Sequence, residues 1–182
     1  MSWEALTAIS TAFTGLVILL TVLYAARQVR ALNEQSRAMS DQLDHLRRAT
    51  QLEGTLAIFD EITAPLIADS YRFLLNDFDE KMKDERFRAE AVGRAPDASV
   101  HKEVVILRHL ERVGTIVKNG LVDADVLLDF MGLFVEETWQ HLRPLVLEQR
   151  KVHGEQRLWE NFEYFATLAD AYSKQKTTPA RP

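Results

Sequence analysis

The sequence contains no cysteine, which excludes disulfide staples, zinc–thiolate sites and thiol catalysis. Glycine and proline are scarce, 7 and 5 among 182 residues, so collagen-like and loop-dominated chains are excluded too. A basic excess is missing: the formal net charge is −5, whereas a general nucleic-acid binder carries a positive balance. Neither a phosphate-cradling glycine loop, an HExxH helix, an EF-hand loop nor a nucleophile elbow occurs. No stretch sustains the alternation of a half-buried strand. What remains is a chain of one domain's length, 47% hydrophobic and patterned at the helical period.

Only Glu4 is charged before Arg27. Residues 5–26 form an uncharged run, ALTAISTAFTGLVILLTVLYAA, about 33 Å long as a helix and enough to cross about 30 Å of hydrocarbon. Thr7, Ser10, Thr11 and Thr14 weaken its outer half, but hydroxyls that bond back to the preceding turn are tolerated in lipid. Trp3 and Tyr24 stand near the two ends, where interfacial aromatics belong. A cleaved signal peptide fits less well, because the only charge before the run is acidic and the helical pattern continues past it. Arg27, Arg30, Arg37, Arg47 and Arg48 follow the run and no lysine or arginine precedes it. The positive-inside rule then predicts a single-pass protein of the inner (plasma) membrane, N-terminus outside and the bulk of the chain cytoplasmic. Arg27 and Arg30 would sit among anionic headgroups and hold the depth of the helix.

From residue 27 to 50 there is neither glycine nor proline. Val29, Leu32, Ser36, Met39, Leu43, Leu46 and Thr50 alternate by three and four, the spacing of a coiled-coil seam. Two readings stay open for this stalk: a parallel seam between copies of the chain, or a stripe docked on the chain's own globular part. His45 falls off the seam. No small residue follows Gly15 at the spacing of a membrane pairing motif.

Residues 51–175 read as a cytoplasmic helical bundle of four to five helices, followed by a flexible tail over 176–182. Leu52, Leu56, Phe59 and Ile62 begin a new stripe near Pro65, which is either a kink or the first residue of a helix. Residues 66–78 carry a second apolar set. The charged stretch over 81–94 reads as a solvated helix end or loop. Asp97 or Ser99 would cap a helix whose stripe is Val100, Val104, Leu107, Leu110, Val113 and Val117. Asn119-Gly120 stops that helix and Asp123 caps the next, which is bent by Pro144 and ends near Gly154. The last helix buries Leu158, Phe162, Phe165, Ala169 and Tyr172. The fold class is therefore all-α: an N-terminal transmembrane helix, a stalk and a bundle.

Candidate chemistry is thin. Glu-x-x-His, the signature of di-metal bundles, is absent. Glu137 and His141 share a helical face and, with Glu103 and His109 from the neighbouring helix, are the candidate metal ligands; a surface pair is the plainer reading. No cofactor is predicted, and no catalytic constellation supports an enzyme. Asp123, Asp125 and Asp129 make an acidic helix start that the helix dipole explains. Tyr164 leaves the last helix's apolar stripe and Trp159 only borders it; the two are either the candidate surface for a protein partner or pack against the helix kinked at Pro144. Arg143 and Arg150 are placed to pair with Glu160 or Glu163 across helices.

Three segments occur together: LRHLERVGTIVKNGLVDADVLLDFMG over 107–132, EETWQHLRPLVLEQR over 136–150 and WENFEYFA over 159–166. With the apolar N-terminal helix, the chain resembles an uncharacterised bacterial family of membrane-anchored helical proteins, domain-of-unknown-function family 4760. The resemblance covers roughly residues 50–170 and implies the architecture without adding catalytic residues. Its pattern positions are Glu111, Asn119, Gly120, Asp123, Trp139, Arg150, Trp159, Asn161 and Phe162. Among these, Glu111, Arg150 and Asn161 are expected to form a polar network inside the bundle. The function expected is a membrane-tethered interaction or scaffold module that binds lipid, associates with itself through the stalk or holds a cytoplasmic protein. The alternative is a small-ligand or metal sensor, or an enzyme, with a pocket between helices.

Overall fold

The computed structural model describes residues 2–177. It is all-helical: α1 (Trp3–Ile62), α2 (Pro65–Asn76), α3 (Phe78–Lys81), α4 (Glu85–Val92), α5 (Lys102–Lys118), α6 (Ala124–His153) and α7 (Glu160–Thr177), with no strand among the described residues. The chain divides into two units, Met1–Ala49 and Thr50–Pro182.

The first unit is the greater part of one helix. Leu6–Ile62 contains a stretch apolar enough to cross a membrane, with mean hydropathy 2.2 and none of it buried. Thr7, Thr11 and Thr14 donate their hydroxyls to the carbonyls of Trp3, Thr7 and Ser10, each at 2.9 Å. Thr21 does the same to Val17 at 2.8 Å. The threonine hydroxyls of the apolar run therefore find their acceptors along their own helix.

The second unit holds the end of α1 and six further helices, against an expected four to five. The helix does not restart at Leu52. It runs on to Ile62, and Leu52 and Leu56 are exposed while Thr55 and Ile58 are buried. Pro65 is the first residue of α2, where its missing N–H is no loss. The charged stretch contains a helix, α4, because Asp84 caps it through the amides of Arg86 and Phe87 and because Phe87, Ala91 and Val92 are buried. Two apolar residues four apart suffice to dock one face despite the surrounding charge. Asp97 and Ser99 turn the chain ahead of α5 without capping it: Asp97 accepts from the amide and hydroxyl of Ser99, and the helix begins one residue after His101. Val100, expected in the core, is exposed.

At the other helix ends local chemistry prevails. α5 stops at Asn119 and Gly120, whose φ of +65° suits glycine. Asp123 caps α6 through Asp125 and Val126, and Gly154 ends it in the left-handed conformation. α6 continues through Pro144. α7 carries on through Ser173 to Thr177; of the expected flexible tail, residues 178–182 lie outside the described residues.

α5 is the central helix. It is in contact with α2, α6 and α7, and α6 in turn packs against α4 and α7. Leu107, Leu110, Val113, Leu127, Val135, Leu142, Phe162 and Phe165 are completely buried. Each such side chain contributes about 1.5–3 kcal/mol in burial alone. Around them stand Phe59 against Phe130, with ring centroids 4.3 Å apart, and Trp139 edge-on to Phe162 at 5.1 Å.

Candidate functional site

The membrane-anchor candidates Trp3, Tyr24, Arg27 and Arg30 all lie exposed on α1. So do the seam residues Val29, Leu32, Met39, Leu43 and Leu46, at 54–64% exposure.

The four metal candidates do not converge. Glu103 is buried with His101, whose Nδ1 is 2.8 Å from Glu103 Oε1. His101 also approaches Glu90 at 3.5 Å and stacks against Phe87 at 4.4 Å. Burial raises the Glu103 pKa above its ordinary 4.5, and the His101 contact only partly offsets this. His109 is buried elsewhere, with Nδ1 3.6 Å from Glu61, which also pairs with Arg112. Burial lowers the His109 pKa below 6.5, outweighing the pull of Glu61. Glu137 accepts from the hydroxyl of Tyr71 at 2.6 Å; burial and then that carboxylate push the phenol up to about 12. His141 stands 3.9 Å from Asp79. Each member of the set has a different partner, and no three ligating residues cluster among the described residues.

The expected polar network divides in two. In one half, Glu111 on α5 reaches the start of α7. Its carboxylate accepts from the amides of Asn161 and Phe162 at 3.1 and 2.9 Å, and from the side-chain amide of Asn161 at 2.7 Å. These two N–H groups belong to the first turn of α7, whose donors have no partner within the helix. Residue 159 is a tryptophan and cannot supply the cap, so a carboxylate from fifty positions earlier supplies it. One turn further along α5, Gly114 lets the backbones touch: a β-carbon there would stand 2.1 Å from the carbonyl oxygen of Asn161.

Arg150 forms the other half. Its Nε donates to the carbonyl of Leu158 at 2.8 Å and its Nη1 pairs with Glu163 at 2.7 Å. It holds the loop between α6 and α7 and the first turn of α7, and it makes no bond to Glu111.

That loop delivers Trp159, which is half-buried rather than a free partner surface, while Tyr164 is 39% exposed. Trp159 has φ of +60°, the only positive value on a non-glycine residue among those described. Its indole N–H donates to Gln149 Oε1 at 2.7 Å, and Gln149 donates in turn to the carbonyl of Ala91 at 2.8 Å. His153 Nε2 lies 2.7 Å from the carbonyl of Val92. Together these bonds tie the end of α6 to the end of α4, beside a cavity of about 270 Å³ lined by the segment after α4, by α5, by α6 and by the loop.

Glu111, Arg150, Trp159, Asn161 and Phe162 thus form one continuous region where α5, α6 and α7 meet. The model of the family described as domain of unknown function (DUF4760) matches residues 10–168. The chain belongs to this family. No curated protein and no solved structure matches it. The DUF4760 match begins inside the apolar part of α1 and ends within α7, so it takes in the long helix as well as the clamp and the cavity. Neither Gly114 nor Gln149 stands out in the sequence as a functional residue. A glycine in the middle of an apolar helical stripe was the available signal for Gly114, since it often marks close backbone approach. Nothing local marks Gln149.

Proposed function

We propose that this protein is a membrane-tethered helical interaction module that associates with copies of itself through the stalk. In this reading α1 crosses the inner (plasma) membrane once, the N-terminus lies outside, and Thr50–Pro182 is presented to cytoplasmic protein partners. The observation that carries it is the row of Val29, Leu32, Met39, Leu43 and Leu46, five large apolar side chains each more than half exposed on one face of α1. Such a row flanked by charge is stable when a second row covers it. Arg27 and Arg30 at the end of the apolar run support the orientation.

The absence of cysteine permits a clean test. Single Leu43→Cys and His45→Cys variants of the full chain are oxidised in native membranes. The reading expects a covalent dimer from Leu43→Cys, on the row, and little from His45→Cys, off it. Equal cross-linking of both, or none of either, overturns it.

A further inference from the structure

We propose that the cavity beside Trp159 binds a small planar organic carboxylate. This inference stands apart from self-association and does not require it. The argument begins with the backbone. A φ near +60° costs about 1 kcal/mol or more for a residue with a β-carbon and nothing for glycine. The chain uses glycine at 120 and 154, where φ is +65° and +66°, yet it places tryptophan at 159, where φ is +60°. The indole is therefore held there for what its side chain does. Its one polar atom is spent on Gln149, so it offers the cavity hydrocarbon and π surface. Val104 and Leu158 extend that apolar wall.

Two guanidinium groups line the same cavity, Arg94 after α4 and Arg108 on α5. Both are exposed, and neither makes a hydrogen bond or ion pair among the described residues. Of the other described arginines of this unit, Arg72, Arg86, Arg112, Arg150 and Arg157 each have a carboxylate partner, while Arg88 and Arg143, like Arg94 and Arg108, have none. Two unpaired arginines that line one cavity with an apolar wall suit a carboxylate, which guanidinium groups bind through planar, paired hydrogen bonds. Glu155 lines the cavity as well and disfavours a second negative charge, which selects a monoanion over a phosphate monoester. The volume of about 270 Å³ accommodates one or two fused rings rather than a long chain.

The test uses the full chain in detergent micelles, labelled with 5-fluorotryptophan. Single Trp→Phe variants assign the fluorine signals of Trp3, Trp139 and Trp159. The probes are 2-naphthoate, its neutral counterpart 2-naphthalenemethanol, and acetate. The expected result is a saturable shift of the Trp159 signal by 2-naphthoate, with the alcohol and acetate each weaker by about tenfold or more. Arg94→Ala and Arg108→Ala should each weaken 2-naphthoate by about tenfold. The Trp139 signal, from a ring packed on Phe162, should stay in place and so report an intact fold. No saturable shift, equal binding of the alcohol or of acetate, or indifference to both arginine variants with Trp139 unmoved would each overturn the proposal.

Discussion

The two units are built from the same secondary structure and held by different physics. In residues 2–49 the threonine hydroxyls bond along one helix, each to the carbonyl four residues before it. In residues 50–177 the decisive bonds leap across sequence: Glu111 to Asn161, Gln149 to Ala91, Lys118 to Asn161. The first unit is a helix whose apolar surface is exposed and must find its cover outside that helix. The second unit is stabilised by what its own helices bury against one another. A helix, then, is not a unit of stability; the surface it buries is.

Two mid-helix glycines break this comparison most sharply. At Gly114 a β-carbon meets the backbone of Asn161, whereas at Gly15 it meets nothing within 4 Å. Gly114→Ala must push α5 and α7 apart, and we expect a loss of about 3 kcal/mol or more in chemical denaturation followed by near-ultraviolet dichroism. Gly15→Ala should leave that transition unmoved and raise the helicity of the first unit, since glycine costs a helix about 1 kcal/mol relative to alanine. If both behave alike, the close crossing of α5 and α7 is wrong.

A smaller effect tests the cap. Glu111→Ala strips three donors at the start of α7 of their acceptor, and we expect a loss of about 2 kcal/mol in the same assay. Glu111→Gln, which keeps one acceptor oxygen, should cost less. Equal losses would mean that packing, not capping, carries the contact.

The weakest expected effect is on pH. Burial lowers the pKa of His109, so the unfolded chain takes up its proton first as the pH falls. The second unit should therefore lose stability as the pH drops below the ordinary imidazole value of 6.5 and towards the folded value. Glu103 slopes the opposite way: its raised pKa means that stability falls as the pH rises above 4.5 towards its folded value. Substituting His109→Gln should flatten the first slope and leave the second. A first slope that survives the substitution belongs to another group.

Much of this fold was legible because helix ends are written locally. Asn119-Gly120, Asp123 and Gly154 act at the positions where they stand, and the buried stripe of α5 follows from spacing alone. Errors came where burial depends on a distant neighbour. Leu52 and Leu56 keep the helical period and still face outward, because no other helix arrives on that side, and Val100 is exposed because it lies in the turn before α5. His101 and Glu103 are polar and yet lie in the interior, because each supplies the other's hydrogen bond. Glu111 and Asn161 were legible as a pair only through the family resemblance; Arg150, expected beside them, instead pairs with Glu163, the other partner that its charge and position predicted. Its further bond to the carbonyl of Leu158 is set by the turn that Trp159 makes, and no periodicity encodes that turn.

The carboxylate of Glu111 has a further consequence, in the order of assembly. Starting a helix is its costly step, because several residues must be fixed before the first bond repays them. For α7 that first turn meets an acceptor already in place, on a helix that leaves the ribosome fifty residues sooner. α7 is thus a helix seeded by its neighbour, and it docks onto a template made earlier instead of nucleating alone. The same dependence runs in reverse: when α5 loosens, the first turn of α7 loses its seed, so α5 and α7 should open together.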